Sequence, residues 1–485
     1  MKKKKLGIIL ASVLAAGTLL SACSSKDSST GEKGSKNGEP YEIKWYTIGT
    51  PQKDTEKVFA EVNKYTKEKI NATVKMTQID WGDWAQKSQV MINSGEPFDI
   101  IFTNGTDYVQ NAQKGAFLAL DDLLEKEGKA LKEVINPDFL EGNKVDGKLY
   151  GIPANKEVAR QDVYTFNKRL ADKYNFDLSK VKTLQDLEPM LKTIKENESG
   201  VTPIATFKAP LRFDYVFNAE MPFAFPFEGD TDTVINPFDT DAAMTQFETM
   251  HKYYKAGYLK EDAATSKDSW PMDVENWFVR IGGSQPYADL LWSRSAKYEV
   301  VSVPAEQPTI VNDSVSGSIQ AISATSKNPE KAMEFLTLLN TDPYLRNLVD
   351  KGIEDVHYKK NDDGTIEDLP ARIESYNMPS YSLGNHFILN LYKEDPKDKW
   401  EKFKEFNESA VKAPSLGFKF NSDPVRSELA SITNISKEFY PALATGSVDP
   451  KEYLPKFNEK LKEAGVEKVL KEIQKQHDEW KSSKE

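Results

Sequence analysis

The fold is decided by residues 41–102, which read YEIKWYTIGTPQKDTEKVFAEVNKYTKEKINATVKMTQIDWGDWAQKSQVMINSGEPFDIIF. Short apolar segments with strand propensity alternate here with amphipathic segments of helical spacing. The predicted strands are residues 43–47, 72–79 and 98–102, and the predicted helices begin near Asp54 and Trp84. The strand at 98–102 is almost continuously apolar, as expected of a strand that is buried on both faces. Strand–helix–strand alternation of this kind predicts a parallel sheet.

The same mixture of strands and helices continues through the rest of the chain. Further strands are predicted at 162–166, 298–303 and 318–323, and further helices at 185–196, 241–256, 331–339 and 466–480. No internal repeat is visible. The roughly 445 residues that follow Pro40 exceed what one ordinary hydrophobic core holds, so two domains are expected.

The N-terminus has the three parts of a secretory signal. A basic run, Lys2–Lys5, precedes an apolar run, Leu6–Leu20, which is too short to cross a bilayer as a helix. Leu20-Ser21-Ala22-Cys23 resembles the bacterial lipobox, and Cys23 is the only cysteine, so no disulfide can form within a monomer. We therefore expect a signal peptide over 1–22, a lipidated Cys23 and a flexible tether over 23–40. The alternative is an ordinary signal peptide with a cysteine in that position by chance.

Charge limits the class of partner. The net charge of −11 includes four lysines of the predicted signal, so the mature chain carries −15. An acidic chain without a basic stripe is a poor binder of nucleic acid. It is also repelled by anionic lipid headgroups, so we expect membrane contact through the lipid anchor alone.

Several motifs resemble one family in their order and number. They are 45–49, Ile79-Asp80-Trp81-Gly82-Asp83-Trp84, 94–100, 148–153, 319–323, 328–332 and 352–358, with Gly384-Asn385 and Gly417-Phe418. The mature chain resembles the extracellular solute-binding proteins of ABC importers, in the large lipoprotein group that takes up oligosaccharides in low-GC Gram-positive bacteria. This resemblance implies a two-lobed α/β fold of the type II periplasmic-binding-protein kind, with a hinge crossed several times and a ligand cleft between the lobes. By analogy, lobe one holds 41–155 and 318–375, and lobe two holds 156–317 and 376–485.

Candidate ligand-binding residues follow from the rule that ligands meet loops at the carboxyl ends of strands in such folds. This rule selects Gln52 and Asp54 after the first strand, and Thr103 and Asn104 after the third. Helix capping is the competing explanation for these four side chains. Other candidates combine charges or aromatics near predicted strand ends or the first hinge crossing: Trp81, Lys156, Glu157, Arg212, Asp214, Tyr215, Arg280, Tyr287 and Trp292. The resemblance alone adds Asn385 and Phe418.

The predicted function is capture of an oligosaccharide and its delivery to ABC permease subunits at the outer face of the cell membrane, by a monomer without cofactor, metal or catalytic residues. Aromatic rings suit the apolar faces of a pyranose, and aromatics make up 11% of the chain. One alternative keeps the fold but binds a peptide or a cationic small molecule. A glycan-active enzyme and a surface adhesin are the others, although no nucleophile motif is present and the four histidines, His251, His357, His386 and His477, lie far apart.

Overall fold

The alternation predicted for residues 41–102 is present in the computed structural model, which describes residues 38–205, 211–266 and 272–484. Cys23, the predicted signal peptide and most of the predicted tether lie outside the described residues. From Pro40 onwards the chain forms one compact unit. None of the described helices is both long and apolar enough to cross a membrane.

The described strands are β1 Tyr41–Ile48, β2 Ala72–Ile79, β3 Ile100–Thr103, β4 Lys144–Val145, β5 Lys148–Leu149, β6 Gly151–Pro153, β7 Gln161–Asn167, β8 Thr202–Ile204, β9 Asp214–Tyr215, β10 Ala224–Phe225, β11 Trp277–Ser284, β12 Val300–Pro304, β13 Thr309–Ile310, β14 Ile319–Ile322, β15 Tyr358–Lys360, β16 Ile366–Asp368 and β17 Val411–Lys412.

The described α-helices are α1 Thr55–Ile70, α2 Trp84–Ser94, α3 Gly105–Gln113, α4 Asp121–Glu125, α5 Lys129–Val134, α6 Pro137–Gly142, α7 Lys168–Lys173, α8 Glu188–Asn197, α9 Asp241–Lys255, α10 Ala288–Ala296, α11 Asn312–Val315, α12 Pro329–Thr341, α13 Pro343–Lys351, α14 Pro370–Glu374, α15 Lys399–Glu408, α16 Arg426–Ala444, α17 Pro450–Glu463 and α18 Val466–Ser482. Single turns of 3₁₀-helix lie at Leu178–Lys180, Leu184–Leu187, Ser380–Ser382 and Asp423–Val425.

The first sheet has the strand order β2-β1-β3-β14-β6. Strand β1 pairs in parallel with β2 and β3, whereas β14 runs antiparallel to β3 and β6. One face packs on helices α1, α12 and α13 through a core that includes Trp45 and Phe335, whose rings meet edge to face at 5.6 Å. The other face packs Phe102 against Trp84. The parallel sheet predicted from residues 41–102 is therefore present.

Strand β3 begins two residues later than predicted because Asp99 uses its side chain to hold the neighbouring strand. Its carboxylate accepts hydrogen bonds from the Lys44 backbone N–H at 2.8 Å and from the Tyr41 hydroxyl at 2.9 Å. A buried carboxylate needs such donors. Asp99 therefore anchors β1 to the segment that leads into β3.

The second sheet has the order β12-β7-β11-β8 and is mainly antiparallel. Strand β12 ends at Pro304 and starts at Val300, two residues after the predicted start at Tyr298. Proline has no backbone N–H to donate, but β12 is an edge strand with one neighbour, so Pro304 is tolerated there. The core beside this sheet contains Phe166 and Phe278, whose ring centroids are 5.4 Å apart.

A further core joins helices α9, α16, α17 and α18 around Phe238 and Phe457. The chain passes from the first sheet to the second between β6 and β7, and returns between β12 and β14. It leaves the first core again between Leu416, which packs against that core, and Phe418, which belongs to the helical core. Tyr376, Met378 and Leu383, which follow the boundary expected at residue 375, pack in the first core.

Candidate functional site

A cavity of about 860 Å³, here called the first cavity, lies between helix α3 and the loop that connects β17 to α16. Helix α3 starts directly after β3, so the cavity is at the carboxyl end of a central strand, where ligands bind in open α/β sheets. The α3 side contributes Gly105, Val109, Gln110, Gln113 and Lys114. The opposite wall includes Tyr215, Phe217, Asn218, Phe418, Lys419, Phe420 and Asn421.

Aromatic rings form the apolar part of the first cavity. Phe217 is 37% exposed, and its ring meets that of Phe420 edge to face at 5.9 Å. Tyr215 lies beside them, and its hydroxyl donates to the Leu211 carbonyl at 3.0 Å. An exposed aromatic held by a second aromatic offers a fixed flat surface to an apolar ligand face.

The loop that carries Phe418 is fixed from both sides. The Asn312 amide donates to the Ser415 carbonyl at 2.7 Å and accepts from the Gly417 backbone N–H at 2.8 Å. The Ser415 backbone N–H also donates to the Asp214 carboxylate at 2.9 Å. Asp214 is fully buried, and burial raises its pKa to about 6. These bonds preorganise the wall of the cavity before a ligand arrives.

A second cavity of about 1040 Å³ adjoins the first and shares Gln113, Asp146, Phe418, Lys419 and Asn421 with it. Helix α18 supplies its far wall, including Trp480. The Lys484 ammonium lies 4.1 Å from the Trp480 ring centroid and 3.2 Å from the Glu141 carboxylate of α6. The two cavities together form a continuous polar and aromatic cleft.

The structure brings two predicted residues to the first cavity, a third to its supporting loop, and two more to the end of β3 just before the cavity. Tyr215 and Phe418 line it, and Asp214 supports its loop. Asn104 is exposed at the N-cap of α3, where its side chain makes no capping bond. Thr103 is buried in β3 two residues before the cavity begins.

Three other predicted residues lie near the ends of β1 and β2 and do not line the first cavity. The Gln52 side chain accepts from the Asn377 backbone N–H at 2.8 Å. Asp54 occupies the N-cap position of α1 without a capping bond, and its carboxylate lies 3.2 Å from the His357 ring. Trp81 is 48% exposed and stacks on Tyr381 with ring centroids 6.2 Å apart.

The predicted hinge residues Lys156 and Glu157 form a separate, partly buried cluster with His386. The Lys156 ammonium donates to the Glu157 carbonyl at 2.9 Å, and the Glu157 carboxylate lies 3.8 Å from the His386 ring. The Asn385 amide donates to the Asn340 carbonyl at 2.9 Å and accepts from the Phe387 backbone N–H at 3.0 Å. Asn385 therefore has both ends of its amide engaged by the protein.

The remaining predicted residues contact other parts of the protein. The Arg212 guanidinium lies 3.7 Å from the Glu306 carboxylate. The Arg280 guanidinium lies 5.1 Å from the Trp292 ring centroid, and burial lowers its pKa. The Tyr287 hydroxyl donates to Asp398 at 2.6 Å.

Sequence reasoning missed Phe217, Phe420, Asn312 and the cavity face of α3. Two of these carried a signal, because Phe217 lies two residues after Tyr215 and Phe420 two residues after Phe418. The spacing of Gly105, Val109 and Gln113 also places them on one face of a helix. No group of three or more His, Cys, Asp or Glu side chains in the described residues is arranged to hold a metal ion.

The fold and the cleft define a class of binding protein in which separate hydrophobic cores lie on either side of a cavity. The chain belongs to the family of bacterial extracellular solute-binding proteins, whose model matches residues 60–352. A model described as a domain of unknown function (DUF3502) matches residues 414–482, the segment that supplies Ser415, Phe418 and Trp480. The predicted family resemblance is thereby confirmed.

Comparison with individual proteins gives the same result. A carbohydrate ABC transporter substrate-binding protein of Streptococcus pneumoniae serotype 4 is 36% identical over 489 residues, covering 99% of each chain. The crystal structure of the N-glycan transport solute binding protein NgtS from Streptococcus pneumoniae is 37% identical, with a TM-score of 0.85 over 92% of this chain and 100% of that chain. NgtS in complex with Man5GlcNAc is 36% identical, with a TM-score of 0.68 over 92% of this chain and 99% of that chain. The predicted two-lobed α/β fold is confirmed by these matches.

Proposed function

We propose that this chain is the substrate-binding component of an ABC importer and that it captures an N-glycan-type oligosaccharide in the first and second cavities. The observation that carries the proposal is the first cavity, where aromatic rings lie beside several side-chain amides. Aromatic rings cover the C–H faces of sugars, while amides can both donate to and accept from hydroxyl groups. The glycan bound by NgtS supports this choice of ligand class.

Lobe closure on the ligand is part of the proposal. The chain is more similar to the NgtS structure described without a glycan than to the Man5GlcNAc complex, with TM-scores of 0.85 and 0.68. Both comparison structures contain the same protein, so this difference supports a closure of the lobes that accompanies glycan binding. A ligand shifts such an equilibrium only through contacts that it makes better in one state.

Isothermal titration calorimetry with Man5GlcNAc tests the function. We expect saturable binding by the wild type, and Phe217→Ala to weaken it about tenfold or more, the equivalent of ~1.4 kcal/mol. Tyr453→Ala is the matched control, because Tyr453 is also 37% exposed but lies on α17 outside both cavities. Equal glycan affinities of Phe217→Ala and Tyr453→Ala would show that the ligand binds outside the first cavity.

The competing ligand classes are separated by the same measurement. A panel of neutral glycans, acidic glycans, peptides and polyamines should give heat only with glycans. Binding of polyamines or peptides alone would contradict the carbohydrate assignment. Release of shortened glycan during prolonged incubation would contradict our further proposal that the protein binds without catalysing a reaction.

We also propose that Cys23 carries a lipid that holds the protein at the extracellular face of the membrane, near its permease. The expected result for Cys23→Ala is release of the protein into the culture medium with unchanged glycan affinity. Two or more acyl chains anchor firmly, since each buried methylene contributes about 0.8 kcal/mol. Immunoblots of the membrane and medium fractions measure this, and a variant retained in the membrane fraction would refute lipid anchoring through Cys23.

A further inference from the structure

Lys419 lies where the first and second cavities meet and contributes to the lining of both. It follows the loop that Asn312 and Asp214 hold in place. Its side chain is partly buried, unlike that of Lys475 in the second cavity, which is 64% exposed. A lysine at this junction is within reach of a ligand that extends from one cavity into the other.

The Lys419 ammonium is only partly used by the protein. Among the described residues it donates one hydrogen bond, to the Asn312 side-chain oxygen at 3.2 Å. A lysine ammonium has three N–H donors and no acceptor, so two N–H groups remain available. The Asn312 oxygen is also bonded to the Gly417 backbone, which fixes the direction from which Lys419 approaches it.

No carboxylate in the described part of the chain forms an ion pair with Lys419. Asp313 is the acidic group that acts on it electrostatically, and burial outweighs this attraction and lowers the Lys419 pKa to about 8. Asp313 itself lies 3.4 Å from the Arg160 guanidinium. The other charged groups around the two cavities are Lys114, Glu141, Lys144, Asp146, Asp423, Arg426, Glu472, Lys475, Glu479 and Lys484.

We propose that Lys419 is a ligand-binding residue whose two available N–H groups donate to a pair of neighbouring hydroxyl oxygens on one sugar of the bound glycan. This inference rests on the proposed function. Vicinal hydroxyls present two acceptors within reach of one ammonium, and the cation strengthens both hydrogen bonds. Because the loop and Asn312 are already fixed, little further ordering of Lys419 is needed when the ligand binds.

Calorimetry of Lys419→Met with Man5GlcNAc tests the proposal. We expect at least a tenfold loss of affinity and an unchanged melting temperature. Lys331→Met is the matched control, because Lys331 is also partly buried but lies on α12 outside both cavities, 2.6 Å from the Glu334 carboxylate. The control should bind within about twofold of the wild type.

The pH profile separates direct binding from a structural role. Deprotonation of Lys419 near pH 8 should weaken wild-type binding by about threefold to tenfold between pH 7 and pH 9, as the charged donor is lost. Lys419→Met should lack this decline. Two results for Lys419→Met would overturn the role of Lys419. One is a loss of affinity while the variant keeps the pH dependence of the wild type, and the other is an affinity within twofold of the wild type. Absence of glycan binding by the wild type would instead overturn the proposed function.

Discussion

Replacement of Asp350 by asparagine is expected to lower the free energy of unfolding by about 3–5 kcal/mol, the usual effect of removing one partner from a buried ion pair. The Asp350 carboxylate lies 2.8 Å from the Arg346 guanidinium and 3.0 Å from the Lys351 ammonium. Asp350 and Arg346 are fully buried, and Lys351 is 5% exposed. Burial alone would raise the Asp350 pKa, but Lys351 and Arg346 outweigh it and hold that pKa well below its usual range. Asparagine would leave two cations buried without an anion.

The measurement is urea-induced unfolding followed by tryptophan fluorescence. Lys87→Met is the matched control, because Lys87 and Asp83 have the same i,i+4 spacing and the same 2.8 Å distance but exposed side chains. This control should change stability by less than about 1 kcal/mol. The double variant Arg346→Met/Asp350→Leu should lose less free energy of unfolding than the single variants Arg346→Met and Asp350→Leu do in sum. Asp350→Leu alone leaves both Arg346 and Lys351 unpaired, whereas the double variant leaves only Lys351 unpaired. If Asp350→Asn lowers the free energy of unfolding by less than about 1 kcal/mol, the Arg346 and Lys351 charges are stabilised by groups other than Asp350.

Acid is expected to destabilise the protein through His386, and His386→Phe should remove much of this effect. Burial, with a contribution from the Arg346 guanidinium, lowers the His386 pKa to about 3. The unfolded chain, with an ordinary histidine pKa of ~6.5, therefore takes up a proton at a higher pH than the folded chain does. Stability is complete above about pH 6.5 and falls as the pH decreases towards 3, with a loss of about 3 kcal/mol at pH 4.

The free energies of unfolding of the wild type and of His386→Phe, each measured at pH 7.5 and at pH 4, show how much of the acid-induced loss of stability comes from His386. At pH 7.5 both side chains are neutral, and phenylalanine can retain the ring contact with Trp400, where the His386 ring centroid is now 6.4 Å away. The wild type and His386→Phe should therefore have similar free energies of unfolding at pH 7.5. At pH 4, His386→Phe should be more stable than the wild type by about 3 kcal/mol. The burial of His357 and His477 also lowers their pKa values, so some acid sensitivity should remain. Identical acid profiles would show that His386 is not the sensitive group.

The β2-β1-β3 part of the first sheet was predictable because its information is local. Each strand and helix between Tyr41 and Thr103 has its own periodicity, and parallel pairing of successive strands follows from the crossover helices. The second sheet was not predictable in the same way. Its central strand β7 pairs with β11 and β12, which lie more than 100 residues later in the chain. No local pattern specifies such pairings.

The candidate site was predictable only in part, for the same reason. Tyr215 and Phe418 were found from an aromatic cluster and from the resemblance, and the loop after β3 from the rule on strand ends. Arg280 and Trp292 looked as suitable for ligand binding as Tyr215 and Phe418 did, but in the structure they contact each other. Whether an aromatic or a charge faces a ligand or a neighbour depends on which distant segment packs beside it, and composition does not determine that.

The first cavity has a consequence for how the protein matures. Its walls come from α3, which starts at Gly105, and from a loop that ends at Arg426, more than 300 residues later. Contacts so distant in sequence form slowly, because the intervening chain must be ordered first. If the chain is exported with its N-terminal part first, as a lipid anchor at Cys23 requires, the first cavity is complete only after residues up to Arg426, nearly nine-tenths of the chain, have emerged. Glycan capture, the function that we propose, would then begin only after export.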